Sequence, residues 1–168
     1  MAKFEFALNP KTKQQAFENA EIPIYETAKA AGCDFKCAEK ITIPSVFTEI
    51  ETQKYTLSEK GIKPTLVHTG IKAIMNDGEY LMLANRSSGP IKKGLILTNG
   101  VGIIDGDYAN NESNDGEIMF QFINVSGHDI TIEVGERIGQ GIFHKYEVAE
   151  NAINTGNIRT GGHGSTNN

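Results

Sequence analysis

GLILTNGVGIIDGDY, residues 94–108, holds two short apolar runs, LIL and VGII, parted by Asn99 and Gly100. Each run has strand length, and turn residues separate them, so the stretch is read as two strands. The same alternation continues outward on both sides. Upstream lie TLVHTGIKAIM, the tight-turn signature NDGE and then EYLMLA; downstream lie EIMFQFINV, SGHD, ITIEV and GERIGQGIFHKY. Strands recur roughly every 8 to 12 residues with turn chemistry between them, which predicts an all-β sandwich, barrel or jelly roll.

The N-terminal third is less regular. FEFAL and IPIY are short apolar segments, of which IPIYET reads as a strand cut by Pro23, and AAGCDFKC reads as a compact turn. ITIPSVFTEIE alternates apolar and polar residues and predicts one half-buried strand, with YTLSEKGIKPT as a loop after it. A helix has room only in the first thirty residues or in EVAENAI near the C-terminus. The last residues, NTGNIRTGGHGSTNN, have too little apolar surface to bury and read as a flexible arm. Residues 1–152 are thus expected to form one β domain and 153–168 the arm.

At 168 residues the chain has room for one full-sized domain. Its composition is 39% hydrophobic and 22% charged, as in soluble globular proteins. A net charge of −5 argues against non-specific nucleic-acid binding, while a small anionic ligand stays open to a local cluster of cations. No apolar run is long enough to span a bilayer and no signal peptide is evident, so a cytoplasmic location is expected. Cys33 and Cys37 lack a second pair at metal spacing and read as reduced structural thiols.

Chemistry-bearing residues fall in a few places. NRSSGP, residues 85–90, offers the planar donor fork of Arg86, the hydroxyls of Ser87 and Ser88, and a glycine that lets backbone approach an anion. It also reads as an ordinary surface turn. In NGVGIIDGDY, the glycines suggest a bulge or a close ligand contact, Asp105 is a candidate general base, and Tyr108 offers a ring face to a sugar or base. The alternative is a hairpin turn with Tyr108 in the core. GERIGQGIF sets Arg137 and Gln140 among apolar residues. RTGGHGST, residues 159–166, combines a cation, hydroxyls and backbone donors that can wrap phosphate oxygens.

Taken in order, AAGCDF, NRSSG, NGVGIIDGDY, GERIGQGIF and RTGGHGST resemble the ordered motifs of the trimeric dUTPases, the phage and Gram-positive members in particular. HTGI, residues 68–71, resembles the stretch that precedes their second motif, with His68 where Pro is usual. The resemblance implies a jelly-roll-like β-barrel subunit, a homotrimer with sites at subunit interfaces, and Mg²⁺-dependent hydrolysis of dUTP to dUMP and pyrophosphate. It implies that Asp105 activates the attacking water, that Asn99 and the backbone around Gly102 line the uracil pocket, and that Tyr108 packs under the deoxyribose. Arg86, Ser87, Ser88 and Gln140 would hold phosphates from another subunit's side. Asp34 would sit near the water shell of a metal held mainly by the phosphates. Arg159, Gly164, Ser165 and Thr166 would close on the phosphates, with His163 covering the uracil.

The chain departs from that pattern at three places. His163 stands where Phe is usual, so stacking is expected to survive while arm closure becomes weaker or pH-sensitive. Two segments, roughly 47–63 and 109–117, are longer than usual and are expected to be surface loops, with a regulatory protein partner as the other role for them. No membrane or nucleic-acid partner is expected. The competing activities are a dCTP deaminase on the same scaffold and a regulatory binding protein that keeps it. The complete arm and the Asp105 pattern speak against the deaminase.

Overall fold

Strands dominate the computed structural model, which describes residues 1–51, 54–57 and 62–153. In chain order they are β1 (Lys3–Phe6), β2 (Cys33–Lys36), β3 (Ile41–Ile43), β4 (Phe47–Glu51), β5 (Lys54–Leu57), β6 (Thr65–His68) and β7 (Ile71–Ile74). There follow β8 (Glu79–Asn85), β9 (Leu95–Leu97), β10 (Gly102–Ile104), β11 (Met119–Asn124), β12 (Ile130–Ile132) and β13 (Arg137–Lys145). The described helical structure is two single turns, a wide π-helical turn Gly89–Lys93 and a 3-10 turn Gly106–Tyr108. The all-β expectation therefore holds.

One sheet positions the chemistry. It is four-stranded, in the order β10-β8-β13-β2, with all neighbours antiparallel. A three-stranded sheet, β6-β11-β9, faces it, and β1-β7, β12-β3 and β4-β5 are two-stranded pairs. The rings of Phe35 on β2 and Phe120 on β11 meet at 5.6 Å between centroids, so the two larger sheets share a core. Leu81, Leu83, Val67 and Phe122 fill it from β8, β6 and β11.

The departures from the sequence reading each have a local cause. Residues 33–36 form a strand rather than a turn. Cys33, Asp34 and Phe35 are all buried, so the strand shows no alternation, and burial on both faces erases the period-two signal. ITIPSVFTEIE is two strands, because Pro44 has no N–H to continue a ladder. Backbone contacts resume beyond it, with Val46 N–H donating to Asn124 O at 2.9 Å. The segment read as a loop after residue 54 begins with β5, which pairs with β4 to make the 47–63 insertion a hairpin over its described part. No helix forms in the first thirty residues. Asn9 Oδ1 accepts from Lys11 N–H and Thr12 N–H and draws the chain into a side-chain-capped turn, the usual competitor of helix. EVAENAI is likewise not helical over 147–153.

Candidate functional site: two ends of one sheet

Asp34 is the pivot of the first end. It lies on β2 opposite Gln140 on β13 and is 5% exposed. Gln140 Nε2 donates to its Oδ1 at 3.2 Å, and Arg137 Nη1 donates to its Oδ2 at 3.3 Å. Arg86, which follows β8 directly, brings Nε within 3.6 Å of Oδ1. Arg137 also reaches Glu26 at 3.0 Å. A buried carboxylate thus gathers two guanidiniums and an amide, the donors that a phosphate chain would take.

The sequence of β13 explains how Gln140 comes to face Asp34. A Cβ on Gly139 would lie 1.9 Å from Phe120, and one on Gly141 would lie 2.5 Å from Phe35. The glycines face the packed core because the rings leave no room for a side chain, and Gln140 between them faces the other way. Strict alternation would then put Arg137 on the core face with the glycines. A β-bulge between Arg137 and Gly139 shifts the register by one residue and turns Arg137 onto Asp34's side. The sequence reading noted Arg137 but gave it no role; the bulge that recruits it leaves no mark in the hydrophobic pattern.

The turn after β8 is cut short and tight. Gly89 N–H donates to Arg86 O at 2.9 Å, and Pro90 opens the π-helical turn. Gly94 ends it in the left-handed region at φ 62°. Ser87 is exposed and Ser88 half-buried. Arg86, Ser88, Lys92, Lys93 and Arg137 line a small concavity here, in which Lys93 pairs with Glu136. The local charge is positive although the chain is acidic overall.

Asn99 lies in the turn before β10, Gly102 opens that strand beside β8, and Asp105 follows its end. Asn99 is exposed and shares a shallow pocket with Gly102, Met119 and Gln121. Gly102 is buried against Leu83, where a Cβ would approach to 3.1 Å. Asp105 caps the start of the 3-10 turn and is exposed on the single subunit. Tyr108 ends the turn and is 4% exposed. Its hydroxyl donates to Glu117 O at 3.0 Å and accepts from Asn114 Nδ2 at 2.9 Å. Within the subunit most of its ring belongs to the core.

Asp105 and Arg86 lie far apart within one subunit. Ile104 pairs with Leu81, so Asp105 lies beside Tyr80 at the start of β8, while Arg86 follows its end. Six residues of strand at about 3.3 Å each separate those ends by roughly 20 Å. Arg159, His163, Gly164, Ser165 and Thr166 lie outside the described residues, so the structure says nothing of the arm.

Other titratable groups are structural. Cys33 and Cys37 are free and buried; burial raises both thiols, Cys33 to about 11, which keeps them protonated and poorly nucleophilic. His68 Nδ1 lies 3.0 Å from Glu117, and that hydrogen bond raises its pKa against the opposing pull of burial. Among the described residues no group of three or more His, Cys, Asp or Glu side chains is arranged to hold a metal, and no helix is long and apolar enough to cross a membrane.

An all-β chain here sets a buried acid that gathers arginines at one end of a sheet and an exposed Asp at the other, an arrangement that suits hydrolysis of a phosphate chain. A family model described as dUTPase matches residues 18–167. The chain is 40% identical over 153 residues to the deoxyuridine 5'-triphosphate nucleotidohydrolase of Lactococcus lactis, covering 89% of this chain and 91% of the relative. It is 34% identical over 160 residues to the enzyme of that name from Rickettsia typhi, covering 93% and 95%. The crystal structure of the Streptococcus mutans dUTPase superposes with a TM-score of 0.71 at 39% identity, over 88% of this chain and 98% of that one. The dUTPase from phage phi11 of S. aureus shares the fold, with a TM-score of 0.66 at 15% identity over 92% and 96%. The protein belongs to the dUTPase family and is an enzyme of that family.

Proposed function

We propose that the protein hydrolyses dUTP to dUMP and pyrophosphate, at sites shared between the subunits of a homotrimer in the cytoplasm. The observation that carries this reading is the division of the sheet. Asp105 and the cluster of Arg86, Arg137, Gln140 and Asp34 stand roughly 20 Å apart along β8 in one subunit. They can act on one substrate only if neighbouring copies bring one subunit's Asp105 to another's Arg86, and cyclic symmetry supplies such a contact in every subunit at once.

In that site Asn99 and the backbone at Gly102 would meet the uracil, and the edge of Tyr108 would bound the sugar. Arg86, Ser87, Ser88 and Gln140 would hold the phosphates. Asp105 takes a proton from the water that attacks phosphorus; the α–β phosphoanhydride bond breaks and pyrophosphate leaves with the charge that Arg86 and Gln140 stabilise. Holding the water in line costs no reorganisation when Asp105 is fixed on a strand end. Residues 153–168 would form the closing arm, with Arg159, Gly164, Ser165 and Thr166 on the phosphates and His163 over the base.

The residues present fit Mg²⁺ bound through substrate. Asp34, which already accepts from Arg137 and Gln140, would meet the ion through a water, with phosphate and solvent oxygens as its other ligands. Bound there, the ion neutralises phosphate charge.

The test is pyrophosphate release from dUTP, dCTP, dTTP and UTP with Mg²⁺, in wild type and Asp105→Asn. Release from dUTP alone, lowered roughly 100-fold or more in the variant, is the expected result. No release from dUTP by folded protein would refute the reading, and ammonia release from dCTP would replace it with the deaminase.

A further inference from the structure

Loop 109–117 is a surface loop, with Asn110, Glu112 and Ser113 exposed, whose other side chains turn inward and build a socket. Asn111 is 7% exposed and Glu117 5%. Asn111 Nδ2 donates to Tyr108 O at 2.9 Å and to Asn114 Oδ1 at 2.8 Å, while its Oδ1 accepts from Ser113 and Asn114 N–H. Asn114 in turn donates to the Tyr108 hydroxyl. The backbone takes left-handed φ at Asn110 (61°), Asp115 (58°) and Gly116 (82°). A Cβ on Gly116 would lie 2.6 Å from Ala109 Cα, so the loop closes tightly on its own start.

A buried cation sits beneath this loop. Lys72 on β7 is 5% exposed. Its ammonium donates to Asn110 Oδ1 at 2.7 Å and to Asp115 Oδ2 at 2.8 Å, with Glu5 at 4.0 Å. The same Asp115 oxygen accepts from Leu8 N–H at 2.8 Å. A lysine is costly to bury unless its charge is matched, and here the loop supplies the match. Packing alone would be met by an apolar residue. The lysine instead ties both limbs of the loop, at 110 and 115, to the sheet.

Tyr108 is what the socket holds. Its hydroxyl uses both its donor and its acceptor capacity, its carbonyl is taken by Asn111, and its N–H donates to Asp105 O at 3.1 Å. We propose that Asn114 and Lys72 are positioning residues: through loop 109–117 they fix the turn carrying Asp105 and Tyr108, and so set the preference for a 2′-deoxy sugar. This rests on the proposed reading of Tyr108 as the sugar's boundary. A 2′-hydroxyl is excluded only while the ring keeps its place, and the ring's freedom is set by the loop.

The experiment measures kcat/KM for dUTP and UTP, with melting temperature, in wild type, Asn114→Ala, Lys72→Met, Tyr108→Phe, Tyr108→Leu and the Asn114→Ala/Tyr108→Phe double variant. Asn114→Ala removes the bond to the Tyr108 hydroxyl together with those its amide makes to Asn111, Gly116 and Glu117, and is expected to lower the dUTP-to-UTP ratio roughly fivefold to tenfold. Tyr108→Phe should move the ratio in the same direction, and the double variant should fall short of the product of the two single effects, since the Asn114–Tyr108 bond is lost in both single changes. Lys72→Met should move the ratio in the same direction; if it does not fold, Asn114→Ala decides. A purely structural loop would lower the melting temperature and leave the ratio alone. That outcome, with selectivity lost in Tyr108→Leu, overturns the positioning role and leaves the function standing. A wild type that shows no preference for dUTP removes both.

Discussion

The two ends of β8 are held in place by different forces. At the Asn85 end the ordering agent is charge, with Asp34 drawing in Arg86, Arg137 and Gln140. At the Glu79 end, beside Asp105, it is a set of neutral amides, with one buried lysine as anchor. The difference suits the two tasks. Side chains that grip a polyanion must be able to exchange Asp34 for phosphate oxygens, whereas the group that orients a water gains from not moving at all.

Breaking the charged end should have the largest effect. Asp34→Ala removes the acceptor shared by Arg137 and Gln140 and is expected to lower kcat/KM for dUTP roughly 10- to 100-fold in steady-state kinetics, the worth of hydrogen bonds to a charged group. An Asp34→Ala enzyme as active as wild type would show that the donors are placed by their strands alone. Next comes the strand beneath both ends. Gly139→Ala forces a methyl into the Phe120 ring and should cost roughly 1–3 kcal/mol of stability by denaturant titration, since overpacking displaces the core. No change there would mean that the ring can turn aside.

The smallest effect sharpens the contrast from the pH side. His68 holds a proton more tightly folded than unfolded, because Glu117 accepts its hydrogen bond. The stabilisation is full below the unfolded pKa near 6.5 and fades as pH rises through the higher folded value. Between pH 6 and 8.5 the melting temperature of wild type should therefore fall relative to His68→Gln. Parallel curves for the two proteins would remove His68 from the account.

Part of the candidate site was legible in the sequence. Arg86 and Asp105 follow apolar runs at strand ends, a visible pattern, and Gln140 stands out as a polar residue among apolar ones, whereas Asp34, inside β2, was named only through the family resemblance. Arg137 was not assigned, because its facing depends on a bulge that inserts one residue without altering composition. Lys72 was missed because a lysine inside IKAI reads as the solvated face of a strand, and only the partner loop forty residues on explains its burial. The inward bonding of loop 109–117 was missed for a related reason: Asn, Asp, Ser and Gly mark surface turns whether or not their amides bond inward. The strand 33–36 escaped because a segment buried on both sides carries no alternation.

Subunit complementation tests the central claim of a divided site most directly. Asp105→Asn and Arg86→Ala proteins would be assayed for pyrophosphate release alone, then after co-refolding into mixed oligomers. If one subunit's Asp105 works with another's Arg86, each variant alone is inactive and random mixing restores about a quarter of the sites, because each site needs one intact group from each of two subunits. Mixed oligomers that form and stay as inactive as their parents would contradict the account, and would place the whole reaction within one subunit.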